Sequence, residues 1–449
     1  MQMLSKIIIT FLLVINFISV YSRDGNKCDC TIALKEIISD IESNYPGFPS
    51  KVNASNKSVY KEFKNKVLKK AMTSCNRENC FYIIERYIHF FKDNHIIFSD
   101  RKTLPVQHLF SGKTIKKTSG ELIGNWCRNS DSLMVSVVKG SDSRYKGYIL
   151  KSNDKLGNIY FELIGNEHEF RIRNYNTPLT TDLLRGRRLK NLLIEPNGIW
   201  QKMNIKESRI ENKTSTYPVN KKFIYKQVKE DIFDLGIPSF NTDAESFDSI
   251  IVHRIIPLIG ENKIKHLIID LRNNVGVNSS FLSLMRFAYE KPFSIPGDFL
   301  FASPKLLQNY EIFNSPFRRA LLPKLRASMG GFVQRDSLRI TLKENYQHPQ
   351  KISIIVNENS ASSSEYFLIF AKYSTKVKLY GRHTAGTLDY SELFEPEKLS
   401  CKDYSFMRPT TKSYWTDTCP IDNNGILPDI DLSSYPENEW VDIILDKLK

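Results

Sequence analysis

The stretch Lys351–Thr387 limits what this chain can fold into more than any other. Ile352 to Val356 is an apolar, β-branched run that predicts a short buried strand. Asn357-Glu358-Asn359-Ser360 then makes a polar turn. From Ser362-Ser363-Ser364-Glu365 onward, Tyr366, Phe367, Ile369 and Phe370 recur at helical spacing. The hydroxyl residues at this turn have two readings. Ser is a preferred helix N-cap, so Ser360 to Ser364 can simply cap the helix. The same place suits a nucleophile, because the unpaired N–H groups of a first helical turn and its positive dipole end favour the negative charge that develops in acyl transfer.

At 449 residues, two or three domains are expected. A hydrophobic fraction of 41% with 12% aromatic residues supplies sizeable cores and argues against disorder. Met1–Ser22 carries one Lys, an apolar run from Ile7 to Val20 and a closing Val20-Tyr21-Ser22, which reads as a secretory signal peptide. The run is short for a bilayer span, and no later segment approaches that length. The expectation is an exported, periplasmic or extracellular protein with no stable membrane insertion after signal cleavage.

Cysteine usage fits export. Cys28/Cys30 and Cys75/Cys80 can cross-link the N-terminal region and Cys401–Cys419 can close a loop, which leaves Cys127 as the odd thiol. Cys-x-Cys and Cys-x4-Cys are not the usual structural-zinc spacings, so no metal or other cofactor is expected. The formal charge of +15 is spread along the chain without a dense basic block. It reads as a solvated surface, and nucleic-acid binding is not expected.

In chain order, residues 23–112 read as helical, with Ala33-Leu34, Ile37-Ile38 and Ile41 at helical spacing, then Val59 to Met72 and Phe81 to Phe91. Residues 113–212 switch to short strands separated by Gly, Asn, Asp and Ser turns, predicting an antiparallel β module, a small barrel or sandwich. Residues 213–449 form the third region. There the amphipathic helix Phe247 to Ile259 is followed by the strand Lys265–Leu271. Strands alternating with helices predict an α/β core with a largely parallel sheet.

Three ordered motifs in this region carry a resemblance. Asp270-Leu271-Arg272-x-Asn274-x-Gly276, then Ser362-x-x-Glu365, then Gly381-x-x-Thr384-x-Gly386 resemble the C-terminal processing (tail-specific) family of serine peptidases. The resemblance implies a ClpP/crotonase-like core, polypeptide substrates and no cofactor. It implies Ser362 as nucleophile, with Ser364 as the alternative reading of the turn, and an oxyanion hole of backbone N–H groups from Gly276 and Ser363. The Lys that many relatives use as base is absent, its place being taken by Thr387, and Val277 stands where relatives have a second Gly. No Gly-Leu-Gly-Phe-type carboxylate loop of a PDZ domain is found.

A helical lead region closing on Asp93-Asn94-His95 resembles the family's His-using branch, which includes the tricorn core. That branch implies His95 as base, a role suited to histidine, whose unperturbed pKa lies near neutrality. Asp422, in a closing motif similar to the family's, is the expected acid orienting it. Glu365 is the competing acid and His383 the reserve base. The expected function is an exported serine endopeptidase working through an acyl-enzyme. The alternative is an inactive relative that binds extended peptides or envelope ligands.

Overall fold

The structure, a computed structural model, describes residues 28–448 apart from 75, 105–119, 141–143, 152–155, 176, 204–222, 314, 343–345 and 395–398. The leader Met1–Ser22, Cys75 and the two expected domain boundaries lie outside the described residues.

The largest unit is a mixed α/β core. Its six-stranded sheet runs Ile224–Lys229, Ile232–Gly236, His266–Asp270, Lys351–Val356, Val377–Gly381, Ile430–Asp431. The first pair is antiparallel and every later neighbour is parallel. Parallel strands need cover on both faces, which accounts for the continuous apolar runs seen in the sequence. Leu267, Ile269, Ile352 and Ile354 face one layer, with Phe247, Ile251, Phe367 and Leu368 from its helices. Ile268 and Ile355 face the other, against Trp440, Val441 and Ile444 of the helix Trp440–Lys447. His266, expected to begin a buried strand, is satisfied there by Ser353 Oγ at 2.8 Å.

Residues 124–202 form a closed eight-stranded antiparallel barrel. Period-two alternation sends Trp126, Val135, Phe161, Phe170, Ile172 and Trp200 into its core. Closure leaves no edge strand exposed.

The lead helices Cys30–Asn44, Lys57–Met72 and Arg77–Ile88 do not bury their apolar faces alone. They share one core with Leu179, Tyr390, Tyr404 and Phe406. The strand Ile97–Asp100 that follows them pairs antiparallel with Tyr404–Met407 on one side and Leu179–Thr180 on the other. The N-terminal region is thereby fastened to chain segments that flank the core sheet, and His95 sits at that seam.

The cysteine pairing differs from the sequence expectation. Cys30 joins Cys80, and Cys28 joins Cys401 across a sequence separation of 373 residues. Cys127 and Cys419 join no disulfide among the described residues, so the expected Cys401–Cys419 loop is not formed. The reason is topological. The shared core brings the start of the first helix against Leu399 and Cys401, a proximity that no local spacing signals. Replacing Cys28 by Ser is expected to lower stability by about 2–5 kcal/mol, whereas Cys419→Ser leaves it within about 0.5 kcal/mol; thermal unfolding of the two variants measures this.

Candidate active site

Ser362 lies between the buried strand Lys351–Val356 and the helix Ser363–Ala371. Its backbone is left-handed, with φ 55° and ψ −115°, a conformation costly for a side-chain-bearing residue. The surrounding turn holds it there. Ala361 N–H donates to the Asn274 carbonyl at 3.0 Å, and Ala385 N–H to the Ser360 carbonyl at 2.9 Å. Ser360 Oγ donates to the Leu271 carbonyl and Ser364 Oγ to the Asn274 carbonyl, each at 2.8 Å. Ser364 is fully buried and committed, so it is not the reacting hydroxyl.

Glu365 is the anchor of this turn. Both its carboxylate oxygens are occupied. Oε1 accepts from Thr384 Oγ1 at 2.5 Å and Gly386 N–H at 2.8 Å, and Oε2 from Thr387 N–H at 2.9 Å and Ser362 N–H at 3.0 Å. Burial raises its pKa, and these four donors oppose the rise by stabilising the charged form. A carboxylate so fully engaged ties the Ser362 backbone to the Gly381–Thr387 loop and is not available to orient His95.

His95 reaches Ser362 from 267 residues away, its Nε2 standing 3.1 Å from Ser362 Oγ. Its other ring nitrogen, Nδ1, lies 2.5 Å from the Tyr390 carbonyl oxygen. A carbonyl only accepts, so Nδ1 carries the proton in the neutral ring and Nε2 presents its lone pair to the serine hydroxyl. The peptide of His95 is fixed by Asp93, whose Oδ1 accepts its N–H at 2.8 Å while Oδ2 accepts the Tyr45 hydroxyl at 2.6 Å.

The expected orienting acid is corrected by this arrangement. Asp422 makes no hydrogen bond to His95. Its Oδ1 accepts the N–H groups of Leu388 at 2.8 Å and Asp389 at 2.9 Å, the two residues that precede Tyr390. Its Oδ2 is buried without a partner among the described residues. Burial, then the neighbouring carboxyls of Asp93 and Asp389, push the Asp422 pKa well above the usual carboxylate range. The reserve base is also elsewhere. His383 Nδ1 contacts the Thr384 carbonyl at 2.9 Å, and its pKa is raised chiefly by Glu169. Thr387 Oγ1 accepts from Asn94 Nδ2 at 3.3 Å and so ties the segment bearing His95 to the Gly381–Thr387 loop.

Of the two expected oxyanion donors, one is displaced. Gly276 N–H donates to Asn274 Oδ1 at 2.9 Å. The glycine is required for another reason. Its φ is +88°, and a Cβ there would stand 2.6 Å from Ser363 N and 3.0 Å from Ser362 Cβ. Ser363 N–H has no acceptor among the described residues, and neither does the N–H of Val277, beside Gly276. Val277 is held at φ 116° and is 59% exposed, an unusual state for a β-branched residue.

Ser362 and His95 open on a cleft of 990 Å³. One wall is apolar, from Val275, Phe281, Leu282, Tyr366 and Phe370. The facing wall comes from the barrel, with Arg171, Asp182 and Arg185. Local pattern did not signal these residues, since Arg171 and Arg185 on strands and Asp182 in a connection look like ordinary solvated charges. The pKa of Asp182 is raised by burial and lowered by the proximity of His95.

Two outcomes test this geometry. Glu365→Ala strands four donors and is expected to cost about 3 kcal/mol or more in urea unfolding, because buried unsatisfied groups each cost about 1–3 kcal/mol. Val277→Gly removes backbone strain of about 1–3 kcal/mol, which offsets the flexibility glycine adds. It is expected to leave the melting temperature unchanged or raised, while the same change at Val275 lowers it.

Residues 309–432 match peptidase family S41. No curated protein matches the sequence. Among solved structures, mature CPAF complexed with lactacystin has a TM-score of 0.52 at 14% identity, covering 93% of this chain and 97% of that one. Mature CPAF alone has a TM-score of 0.51 at 14% identity, covering 93% and 96%. The photosystem II D1 C-terminal processing protease has a TM-score of 0.39 at 14% identity, covering 90% and 94%. At such identities the likeness to CPAF is one of fold. The segment that matches peptidase family S41 contains the Ser362 turn, the Glu365 anchor and the closing Asp422 loop.

Proposed function

We propose that the chain is an exported serine endopeptidase that hydrolyses peptide bonds through an acyl-enzyme. The observation that carries this reading is the 3.1 Å contact between Ser362 Oγ and His95 Nε2. With Nδ1–H held by the Tyr390 carbonyl, Nε2 takes the Ser362 proton as Oγ attacks the substrate carbonyl. The tetrahedral oxyanion is received by Ser363 N–H, with Val277 N–H as the second donor. His95 then returns the proton to the departing amine, leaving the acyl group on Ser362. A water, deprotonated in turn by Nε2, attacks the ester, and the carboxylic product leaves with Oγ reprotonated.

In this reading Asp422 is a positioning residue. It holds the Leu388–Asp389 backbone and through it the Tyr390 carbonyl. Export is supported by the leader-like Met1–Ser22 and by the two disulfides. Among the described residues no helix is long and apolar enough to cross a membrane.

A serine-directed fluorophosphonate is expected to label Ser362. Ser362→Ala abolishes labelling and peptide turnover, and His95→Ala lowers turnover by about a thousand-fold or more while the chain remains folded. No labelling of the native chain, together with tight binding of extended peptides, would move the assignment to the inactive binder.

A further inference from the structure

The barrel presents arginines to the catalytic core on two adjacent strands, and acid matches them unevenly. On Glu169–Asn174, Phe170 and Ile172 point into the barrel core, so Arg171 and Arg173 point outward. On Leu184–Leu189, Arg185 stands directly across from Arg171, and Arg187 across from Glu169. Arg173 pairs with Glu85 and, at 3.1 Å, with Glu162. Arg187 donates to the carbonyls of Ser433 at 2.8 Å and Tyr435 at 3.1 Å, with Glu358 4.0 Å away. Arg171 donates only to Asn94 Oδ1, at 2.9 Å, and the Arg185 guanidinium has no acceptor among the described residues.

Neither Arg171 nor Arg185 forms an ion pair with a carboxylate among the described residues. The nearby acids are already engaged or set apart. Glu358 pairs with Arg382 at 3.2 Å, Glu169 also binds Arg382, and both oxygens of Glu365 are taken. Asp182 reaches solvent and accepts no hydrogen bond from either arginine. Burial and the charge of Arg185 hold the Arg171 pKa below its ordinary value, and burial does the same for Arg185. Two like charges opposed across a strand pair, in a partly desolvated wall, are unfavourable without a counter-charge. Both line the cleft that holds His95 and Ser362.

We propose that Arg171 and Arg185 form a carboxylate-binding subsite that engages an acidic group of the peptide presented to Ser362. The inference rests on the peptidase reading above. Paired guanidinium forks match the planar, bidentate acceptor geometry of a carboxylate. The carboxylate is that of an Asp or Glu side chain within the peptide.

The test takes the best-cut member of a synthetic peptide library and measures kcat/KM with the native chain. It is compared with one form amidated at the C-terminus and another with every Asp and Glu replaced by its amide. Loss of one carboxylate is expected to lower kcat/KM about ten-fold or more, the size of a charge-assisted hydrogen bond. A drop on side-chain replacement is the expected result, and a drop on amidation alone overturns the side-chain assignment. All forms cut within about two-fold of each other overturns the subsite.

In the Arg171→Gln, Arg185→Gln double variant, the preference is expected to shrink to about two-fold. An undiminished preference in that variant, folded by circular dichroism, also overturns the subsite. If the double variant does not fold, the Arg171→Lys variant and the native comparison decide the matter, because lysine keeps charge but loses the fork. Fluorophosphonate labelling run in parallel separates the two readings. Labelled Ser362 without a carboxylate preference removes the subsite alone. With neither labelling nor cleavage the peptidase reading fails, and calorimetric titration of the same peptides then tests the subsite by affinity, where equal binding overturns it.

Discussion

The hydrogen-bonded carboxylate of Glu365 is the constraint on which the rest of the site depends. It is fully buried and shared between the backbone of Ser362 and the Thr384, Gly386 and Thr387 donors of a loop about twenty residues on. A left-handed serine is held only where its surroundings over-determine it. Here they do so from three directions, namely the sheet through Asn274 and Leu271, the helix through Glu365, and the Gly381–Thr387 loop through Ala385. The same loop reaches Asn94 through Thr387. The position of His95 is therefore linked to that of Ser362 by covalently distant but physically short connections.

Charged networks join the barrel to its neighbours. Buried Arg173 pairs with Glu85 of a lead helix and with Glu162 of the barrel itself, and Arg382 of the core pairs with Glu169 of the barrel and with buried Glu358. Such pairs contribute little net stability, because desolvation nearly cancels their attraction, but a wrong placement leaves a buried charge unmatched. They define how the barrel wall faces the cleft. That wall, and not the parallel sheet, supplies Arg171, Asp182 and Arg185.

How much of this was legible in the sequence follows from the range of each interaction. The strand Lys351–Val356 and the helix after Ser362 were readable from period and composition, because both are local patterns. So were the lead helices and the strand-rich character of residues 124–202. Asp270 and Arg272, two residues apart in the first of the three motifs, form a buried ion pair at 2.6 Å. What was not legible depended on contacts across hundreds of residues. The Cys28–Cys401 disulfide follows from a shared core that neither segment announces. The partner of His95 Nδ1 is a backbone carbonyl, and no residue type encodes a carbonyl. Asp422 was readable as a member of a motif, but its side chain turns to the Leu388–Asp389 backbone instead of the imidazole.

That last difference has a chemical consequence. A carboxylate against Nδ1 would fix the tautomer, fix the ring and stabilise the imidazolium formed during attack. The Tyr390 carbonyl does the first two and supplies only a dipole for the third. The compensating negative charge has to come through space. Asp93 accepts the His95 peptide N–H, and Asp182 lines the same cleft, where burial raises its pKa and the proximity of His95 opposes that rise. Asp422 is a poor source, since burial and then Asp93 and Asp389 beside it favour its neutral form. A site built this way takes its geometry from the seam between lead helices and core. Part of its electrostatics comes from the barrel, so the barrel's seating on the core bears on the reactivity of His95 as well as on access to Ser362.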